Sequence, residues 1–352
     1  MNGPSITGIS LNIATTNEAS VATFARSGAS YVRFIAKGIA PAIYVSLAQA
    51  LQDAGKAVRK DFELMIDLPG ERPRMGMQFE EFTVYQGMTV LLVDEAASTD
   101  ALHSSMRVPT VGLLDHRELL RQGDRMLISD GATELRVLEI LPTGILAEAT
   151  RPEALLSPNR SMLLPDTDVR YQALSERDLA MVDAVAASPF RDGKIAVSMV
   201  ESAEPINRLR QMLPNAVIAA KIETRLGVVN RAEIIDAADY VMLARGDLSL
   251  SIGTDLVPAA LDQIIERAQE RGRDVILATG IFDGVRLQGS PTIADLTDLW
   301  YYWRRGIRNF LISGGRPDQH GRQSLQELET ALSDFRFAMD NVSEGHRSNR
   351  PL

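Results

Sequence analysis

The chain has 352 residues, 45% of them hydrophobic, enough to bury a full core in one large domain with an insertion or in two medium domains. A formal net charge of −9 argues against a sequence-independent nucleic-acid binder, and no apolar run is long enough to span a membrane. The absence of cysteine excludes disulfides, thiolate metal sites and a cysteine nucleophile, and the histidines (His103, His116, His320, His346) share no ligand-like spacing.

In chain order, residues 6–13 read as a strand and 18–27 as a helix closed by Gly28. Residues 31–36 follow as a strand, 41–54 as a helix opened by Pro41 and ended by Gly55, and 62–67 as a third strand. A βαβαβ run implies parallel strands with right-handed crossovers. From about residue 76 to 164 the helical period disappears, and short alternating runs occupy 82–85, 89–93, 125–128, 135–140 and 145–149. Asp130-Gly131 between two of them is a hairpin signal. The segment reads as a small, mostly antiparallel β domain inserted after the third strand.

The α/β alternation then resumes. Helices are expected at 176–187, 205–212, 232–237, 257–271, 293–305 and 325–338, with strands at 195–199, 217–222, 240–244, 274–278 and 309–313. Three strands before the insertion and five after it make eight, the number that a closed (β/α)8 TIM barrel requires. The expected division is barrel over 1–75 and 166–342, a small β-barrel insertion over 76–165, and a frayed polar tail over 343–352. An open doubly wound sheet is the alternative. The N-terminus lacks the basic and apolar regions of a signal peptide, so a cytoplasmic setting is expected.

In a TIM barrel the useful polar residues follow the strands. Here they are Arg33, Lys37, Asp67, Ser198, Lys221, Glu223, Arg245, Asp247, Thr279 and Ser313. Lys221 lies inside an apolar run, where it needs a partner, and a structural pair with Glu223 is the bland explanation. Glu223 and Asp247 could place carboxylate oxygens on magnesium or manganese, or could simply favour the helices that follow them. Arg33 could pair with Asp67 as a buried bridge. By capping preference alone, Thr279-Gly280 reads as a helix entry. In Arg245-Gly246-Asp247 the glycine permits close approach of backbone to a ligand.

The run Ala220-Lys221-Ile222-Glu223, followed by Gly227-Val228-Val229-Asn230, Glu233-Ile234-Ile235 and Ala244-Arg245-Gly246-Asp247-Leu248, strongly resembles the pyruvate kinase signature. Further matches are Ser27-Gly28 through Arg33, Asp67 with Gly70, Arg74 and Gly76, Asp130-Gly131, Leu174 to Asp178, Ala278-Thr279, Pro291-Thr292 and Ser313-Gly314. The resemblance covers about residues 9–315 and includes the insertion, a lid in that family; the family's C-terminal allosteric domain is not represented. It implies phosphoryl transfer between phosphoenolpyruvate, or a related enol phosphate or 2-keto acid, and ADP/ATP. Lys221 would act on the phosphoryl group and the enolate oxygen, and Thr279 would lie near the methylene carbon. Glu223 and Asp247 would hold Mg2+ or Mn2+, and the backbone of Ala244, Arg245 and Gly246, with Ser198 nearby, would receive substrate. Arg33, Arg74 and Arg160 would contact phosphates, Arg160 standing where the lid normally offers lysine. A homodimer through the barrel is left open.

The departures are specific. Where the family binds a monovalent cation after the second strand, this chain has Ile35 and Lys37; a threonine serving the same ion is Leu68, and the glutamate linked to potassium dependence is Arg72. Lys37 or Arg72 is therefore expected to replace potassium's charge. Pro69, Thr224-Arg225-Leu226, Gly280-Ile281-Phe282 and Gly315 alter the nucleotide and substrate rims, which suggests a specialised paralogue. Two alternatives stay open: a metal-dependent keto-acid aldolase working through a pyruvate enolate, and a non-catalytic binding protein.

Overall fold

The computed structural model describes residues 6–11, 30–37, 39–57, 63–97, 106–281, 283–284 and 290–313. The expected helices at 18–27 and 325–338, Gly28, and the tail lie outside them. The chain divides into two compact units: a barrel unit of Met1–Pro69, Ala173–Arg245 and Leu261–Leu352, and a β unit of Gly70–Gln172 with Gly246–Ala260.

Among the described residues seventeen strands run in chain order. The first three are β1 (Ile6–Leu11), β2 (Tyr31–Ile35) and β3 (Glu63–Leu68). Nine short ones follow: β4 (Arg74–Met75), β5 (Phe82–Tyr85), β6 (Thr89–Asp94), β7 (Met106–Val111), β8 (Arg125–Ile128), β9 (Thr133–Leu141), β10 (Gly144–Ala149), β11 (Glu153–Leu156) and β12 (Met162–Leu163). The last five are β13 (Lys194–Val197), β14 (Val217–Lys221), β15 (Tyr240–Ala244), β16 (Asp274–Ala278) and β17 (Asn309–Ser313). β1, β2, β3 and β13 to β17 close into an eight-stranded parallel barrel in the order β1-β17-β16-β15-β14-β13-β3-β2. β13 pairs directly with β3, from Lys194↔Met65 to Val197↔Leu68, so the insertion leaves the barrel's order intact.

Side chains in a strand alternate between faces, so every second residue of a barrel strand points inward. Tyr31, Met65, Ala196, Ala219, Met242, Ile276, Ala278 and Leu311 form one buried interior cluster, with Tyr240 packed against it. Two residues further along their strands stand Arg33, Asp67, Ser198 and Lys221. The same period that fills the barrel with Met65, Ala196 and Ala219 therefore delivers charged and hydroxyl groups to one level of its C-terminal end. Small alanines on the adjacent strands β13 and β14 are flanked by methionines on β3 and β15, so small and large side chains together fill the interior.

Helices flank the strands. Pro41–Ala57 starts at its proline but runs through Gly55, which is buried and not in a left-handed conformation, so the expected stop at Gly55 is wrong. A glycine ends a helix when its freedom at positive φ is used, and Gly55 does not use it. Glu176–Ala186 opens with a capping box from Ser175 and Asp178, and Ile293–Arg304 with one from Thr292 and Asp295. Glu204–Met212, Arg225–Val229, Arg231–Ala237, Arg245–Ile252 and Val257–Glu270 complete the described set. Arg225–Val229 and Arg245–Ile252 are helices that the sequence pattern missed. Among the described residues no helix is long and apolar enough to cross a membrane.

The β unit carries a seven-stranded sheet, β12-β8-β9-β10-β6-β7-β4, and the two-stranded sheet β11-β5. Val84, Val90, Leu92, Val108, Met126, Val137, Ile145 and Leu156 belong to its separate core. The expected hairpin joins β8 to β9, with Ser129, Asp130 and Gly131 all at positive φ (53°, 56° and 82°). The positive φ of Gly131 favours glycine there, whereas the nearby Leu250 side chain could turn away from an added Cβ. The mostly antiparallel expectation meets one exception: β7, unexpected because Pro109 interrupts it, runs parallel to β6.

Candidate functional site

In the barrel unit the ends of β2, β3, β13 and β14 converge on one ionic cluster. The Lys221 ammonium lies 2.7 Å from Ser198 Oγ, 3.3 Å from both Asp67 oxygens and 3.1 Å from Glu223 Oε1. Arg33 Nη1 stands 3.3 Å from Asp67 Oδ2, and Ser198 Oγ donates to Asp67 Oδ1 at 3.2 Å. Both bland pairings, Lys221 with Glu223 and Arg33 with Asp67, therefore exist, but as parts of one network rather than as separate bridges. Two cations face two carboxylates in a site dry enough to strengthen each interaction.

The exposures are ordered. The side chains of Lys221 and Arg33 are 10% and 14% exposed, whereas Asp67 is 3% and Glu223 0% exposed. Cations stand at the accessible level and the acids that hold them stand behind. An arrangement of this kind presents positive charge to an anionic ligand without leaving either cation uncompensated.

The signature residues around Lys221 build the frame. Thr224 caps Arg225–Val229 by accepting from Gly227 N at 3.0 Å. A Cβ at Gly227 would meet Val200 O at 2.7 Å, and Asn230 Nδ2 donates to Glu201 O at 2.7 Å. Those contacts hold the turn after β13, where Met199 adopts φ 55° and donates its N–H to Glu223 Oε2 at 3.0 Å. A methionine in this region costs about 1–3 kcal/mol, and its orientation of the Glu223 carboxylate gives that strain a use.

A second arrangement joins the ends of β15 and β16. Arg245 Nη1 contacts both oxygens of Asp298 at 2.8 and 2.7 Å, and its Nε and Nη2 donate to Thr279 O at 3.0 and 2.8 Å. The guanidinium also lies 5.6 Å from the Tyr302 ring centre. Burial, opposed by this cation, raises the Tyr302 pKa. Thr279 sits at φ 66°, outside the extended conformation of an N-cap, so Thr279 does not itself cap a helix, although Asp283 and Gly284 just beyond it are helical. Ala244 is buried at the end of β15, and Lys37 is exposed just after β2.

The remaining expected residues lie in the β unit. Arg72 Nη1 contacts Asp247 Oδ1 at 2.7 Å. Arg74 and Arg160 occupy neighbouring backbone segments, since Arg74 bridges to Ser161 and Met75 N donates to Arg160 O at 2.8 Å. Gly246 starts the portion of this unit that includes Asp247, and its carbonyl accepts from Ser249 Oγ at 2.7 Å. As metal ligands, Glu223 and Asp247 are of the right chemistry, hard carboxylates. Among the described residues no group of three or more His, Asp or Glu could hold a metal. Magnesium or manganese would then take further ligands from substrate and water, as these ions commonly do.

Sequence reasoning undervalued Asp67 and missed Asp298. Asp67 had a visible signal, an acid in the otherwise apolar run from Leu64 to Leu68. Asp298 had none, because it is 53 residues from the arginine it pairs with.

The sequence model "Pyruvate kinase, barrel domain" matches residues 4–314. The chain belongs to the pyruvate kinase family. Among similar proteins, the pyruvate kinase of Lactococcus lactis is 26% identical over 67% of this chain and 48% of its own length. That of Pyrobaculum aerophilum is 26% identical over 75% and 57%, and that of Corynebacterium efficiens 29% identical over 84% and 60%. The chain thus spans between about half and three-fifths of these family members. The Lys221 and Arg33 network lies within the residues that the family model matches.

Proposed function

We propose that the chain is a pyruvate kinase-like phosphotransferase, moving a phosphoryl group between phosphoenolpyruvate, or a related enol phosphate, and ADP or ATP. The observation that carries this reading is the ordered exposure of the cluster: Lys221 and Arg33 forward, Asp67 and Glu223 behind. Family membership supplies the reaction class. In the forward direction a β-phosphate oxygen of ADP forms the new P–O bond as the bond to the enol oxygen breaks, leaving an enolate that takes a proton on its methylene carbon. Lys221 stabilises negative charge on the moving phosphoryl group and the enolate oxygen, and Arg33 binds phosphate. Ser198 and Asp67 hold the Lys221 ammonium in position. Arg74 and Arg160 bind nucleotide phosphates. The backbone of Ala244, Arg245 and Gly246 receives the substrate carboxylate, and Thr279 orders the water at the methylene carbon.

Glu223 and Asp247 are the assigned ligands of Mg2+ or Mn2+, which when bound supplies Lewis-acid stabilisation of the enolate. We further propose potassium independence, with Lys37 or Arg72 contributing the charge that a monovalent cation brings elsewhere in the family. The departures from the family pattern support it: Ile35 and Leu68 offer no side-chain oxygen where the family's monovalent-cation ligands stand, and Lys37 and Arg72 bring positive charge to the same segments.

The test is phosphorus NMR with magnesium, ADP and phosphoenolpyruvate, and separately with ATP and pyruvate, each with and without potassium. Phosphoryl exchange lost in Lys221→Met supports the transferase. Exchange in neither direction would sink it, and strict potassium dependence would sink the second proposal alone.

A further inference from the structure

We infer that Arg72 is a resident counter-cation of Asp247, which a divalent ion must displace or share before it binds. The inference rests on the assignment of Asp247 as a metal ligand. Its observation is the 2.7 Å contact between Arg72 Nη1 and Asp247 Oδ1, whose side chains are 15% and 22% exposed. The pair joins residues 175 apart in sequence, so no local turn produces it.

Both ends are held by backbone. Arg72 lies between Glu71, whose N–H donates to Gln172 O at 2.8 Å, and Pro73, whose carbonyl accepts from Met162 N at 2.8 Å. Asp247 is in the first turn of Arg245–Ile252, where the helix N-terminus also favours its anionic form. The guanidinium is therefore presented to the carboxylate by two strand-like anchors rather than by a loose surface loop. Arginine keeps its charge at every working pH, so the competition cannot be relieved by deprotonation. At this distance it satisfies one carboxylate oxygen and repels an incoming dication. The consequence is a divalent affinity set below what the carboxylate alone would give, so that metal loading depends on a further ligand such as an anionic substrate.

Direct Mn2+ binding, followed by electron paramagnetic resonance without substrate, tests this. Arg72→Ala and Arg72→Gln are expected to bind Mn2+ about tenfold more tightly than the unsubstituted chain, about 1.4 kcal/mol. Arg72→Lys, which keeps the charge, should stay within about threefold of it, and Asp247→Asn should weaken binding in both the native and the Arg72→Ala background. Circular dichroism melting establishes that each variant is folded; Arg72→Gln, which still hydrogen-bonds Asp247, serves if Arg72→Ala does not fold. Unchanged or weaker Mn2+ binding in a folded Arg72→Gln, with binding still lost in Asp247→Asn, overturns the counter-cation role and leaves the metal assignment standing. Absence of Mn2+ binding in every variant overturns both.

Discussion

The barrel unit holds two lysines at opposite ends of its strands, and their surroundings differ in kind. Lys194 opens β13 and lies 5.8 Å from the Tyr31 ring centre, 4.9 Å from that of Tyr240 and 2.9 Å from the exposed acid Glu63. Lys221 ends β14 amid Asp67, Glu223 and Ser198, with a second cation, Arg33, on the same carboxylate. At the first end the ammonium packs against aromatic faces and closes the interior. At the second it is fixed by two buried carboxylates. The first environment is a plug and the second is a holder for charge. The difference agrees with the general division of such barrels into a stabilising N-terminal face and a reactive C-terminal face.

The largest expected effect tests the holder. Lys221→Met should lower phosphoryl exchange about a thousandfold, the scale of removing one preorganised charge-stabilising donor. It should also cost about 3 kcal/mol of stability, because it leaves Asp67 and Glu223 without their shared cation. Urea unfolding beside the NMR exchange assay separates the two losses. A folded variant with near-native exchange would reduce the cluster to a structural ion network.

Much of this division was legible in the sequence, and for a physical reason. Apolar runs of strand length with helical patterns between them fix a period of two inside the barrel, and Lys221 breaks such a run, so a buried lysine needing acids was visible. Arg33 and Asp67 were readable in the same way, as charged residues within apolar strands. What was not legible depends on distant partners. Arg72 meets Asp247 across 175 residues and Arg245 meets Asp298 across 53, separations that leave no local pattern. Gly55 was misread because a glycine that uses its freedom at positive φ and one that does not look alike in a sequence. β7 was missed because Pro109 argues against a strand until a parallel neighbour is known.

A middle-sized effect tests the plug. Lys194→Met should leave phosphoryl exchange within about twofold of native and reduce stability by about 1–2 kcal/mol. Two cation–π contacts supply most of that loss. The bond to Glu63 adds little, since that carboxylate is 63% exposed and screened by solvent. The comparison breaks if this variant loses activity as Lys221→Met does, and it sharpens if only the unfolding midpoint in urea moves.

The smallest effect lies on Tyr31, which belongs to the plug by packing and stands two residues before Arg33 on the same strand. Its hydroxyl is buried and has no hydrogen-bond partner among the described residues. Burial raises its pKa, with Tyr240 and Glu63 adding to the rise and Arg33 opposing it. Tyr31→Phe removes an unsatisfied polar atom and keeps the ring against Lys194, so at pH 7 it should be neutral or stabilising by about 1 kcal/mol. At high pH the sign follows from the proton count. The folded chain keeps the Tyr31 proton above the ordinary tyrosine pKa of 10.0, whereas the unfolded chain loses it. The stability that this group contributes is therefore complete below pH 10 and declines as pH rises from there towards the folded value, by up to about 1.4 kcal/mol per pH unit. Tyr31→Phe should flatten the alkaline limb by that share, leaving the part due to Tyr240, whose pKa is raised mainly by burial and opposed by Lys194. Urea unfolding at pH 8, 10 and 11 measures it. If the two alkaline limbs superimpose, the Tyr31 hydroxyl is satisfied in solution, and the closed aromatic floor under Arg33 would have to be replaced by a wetter one.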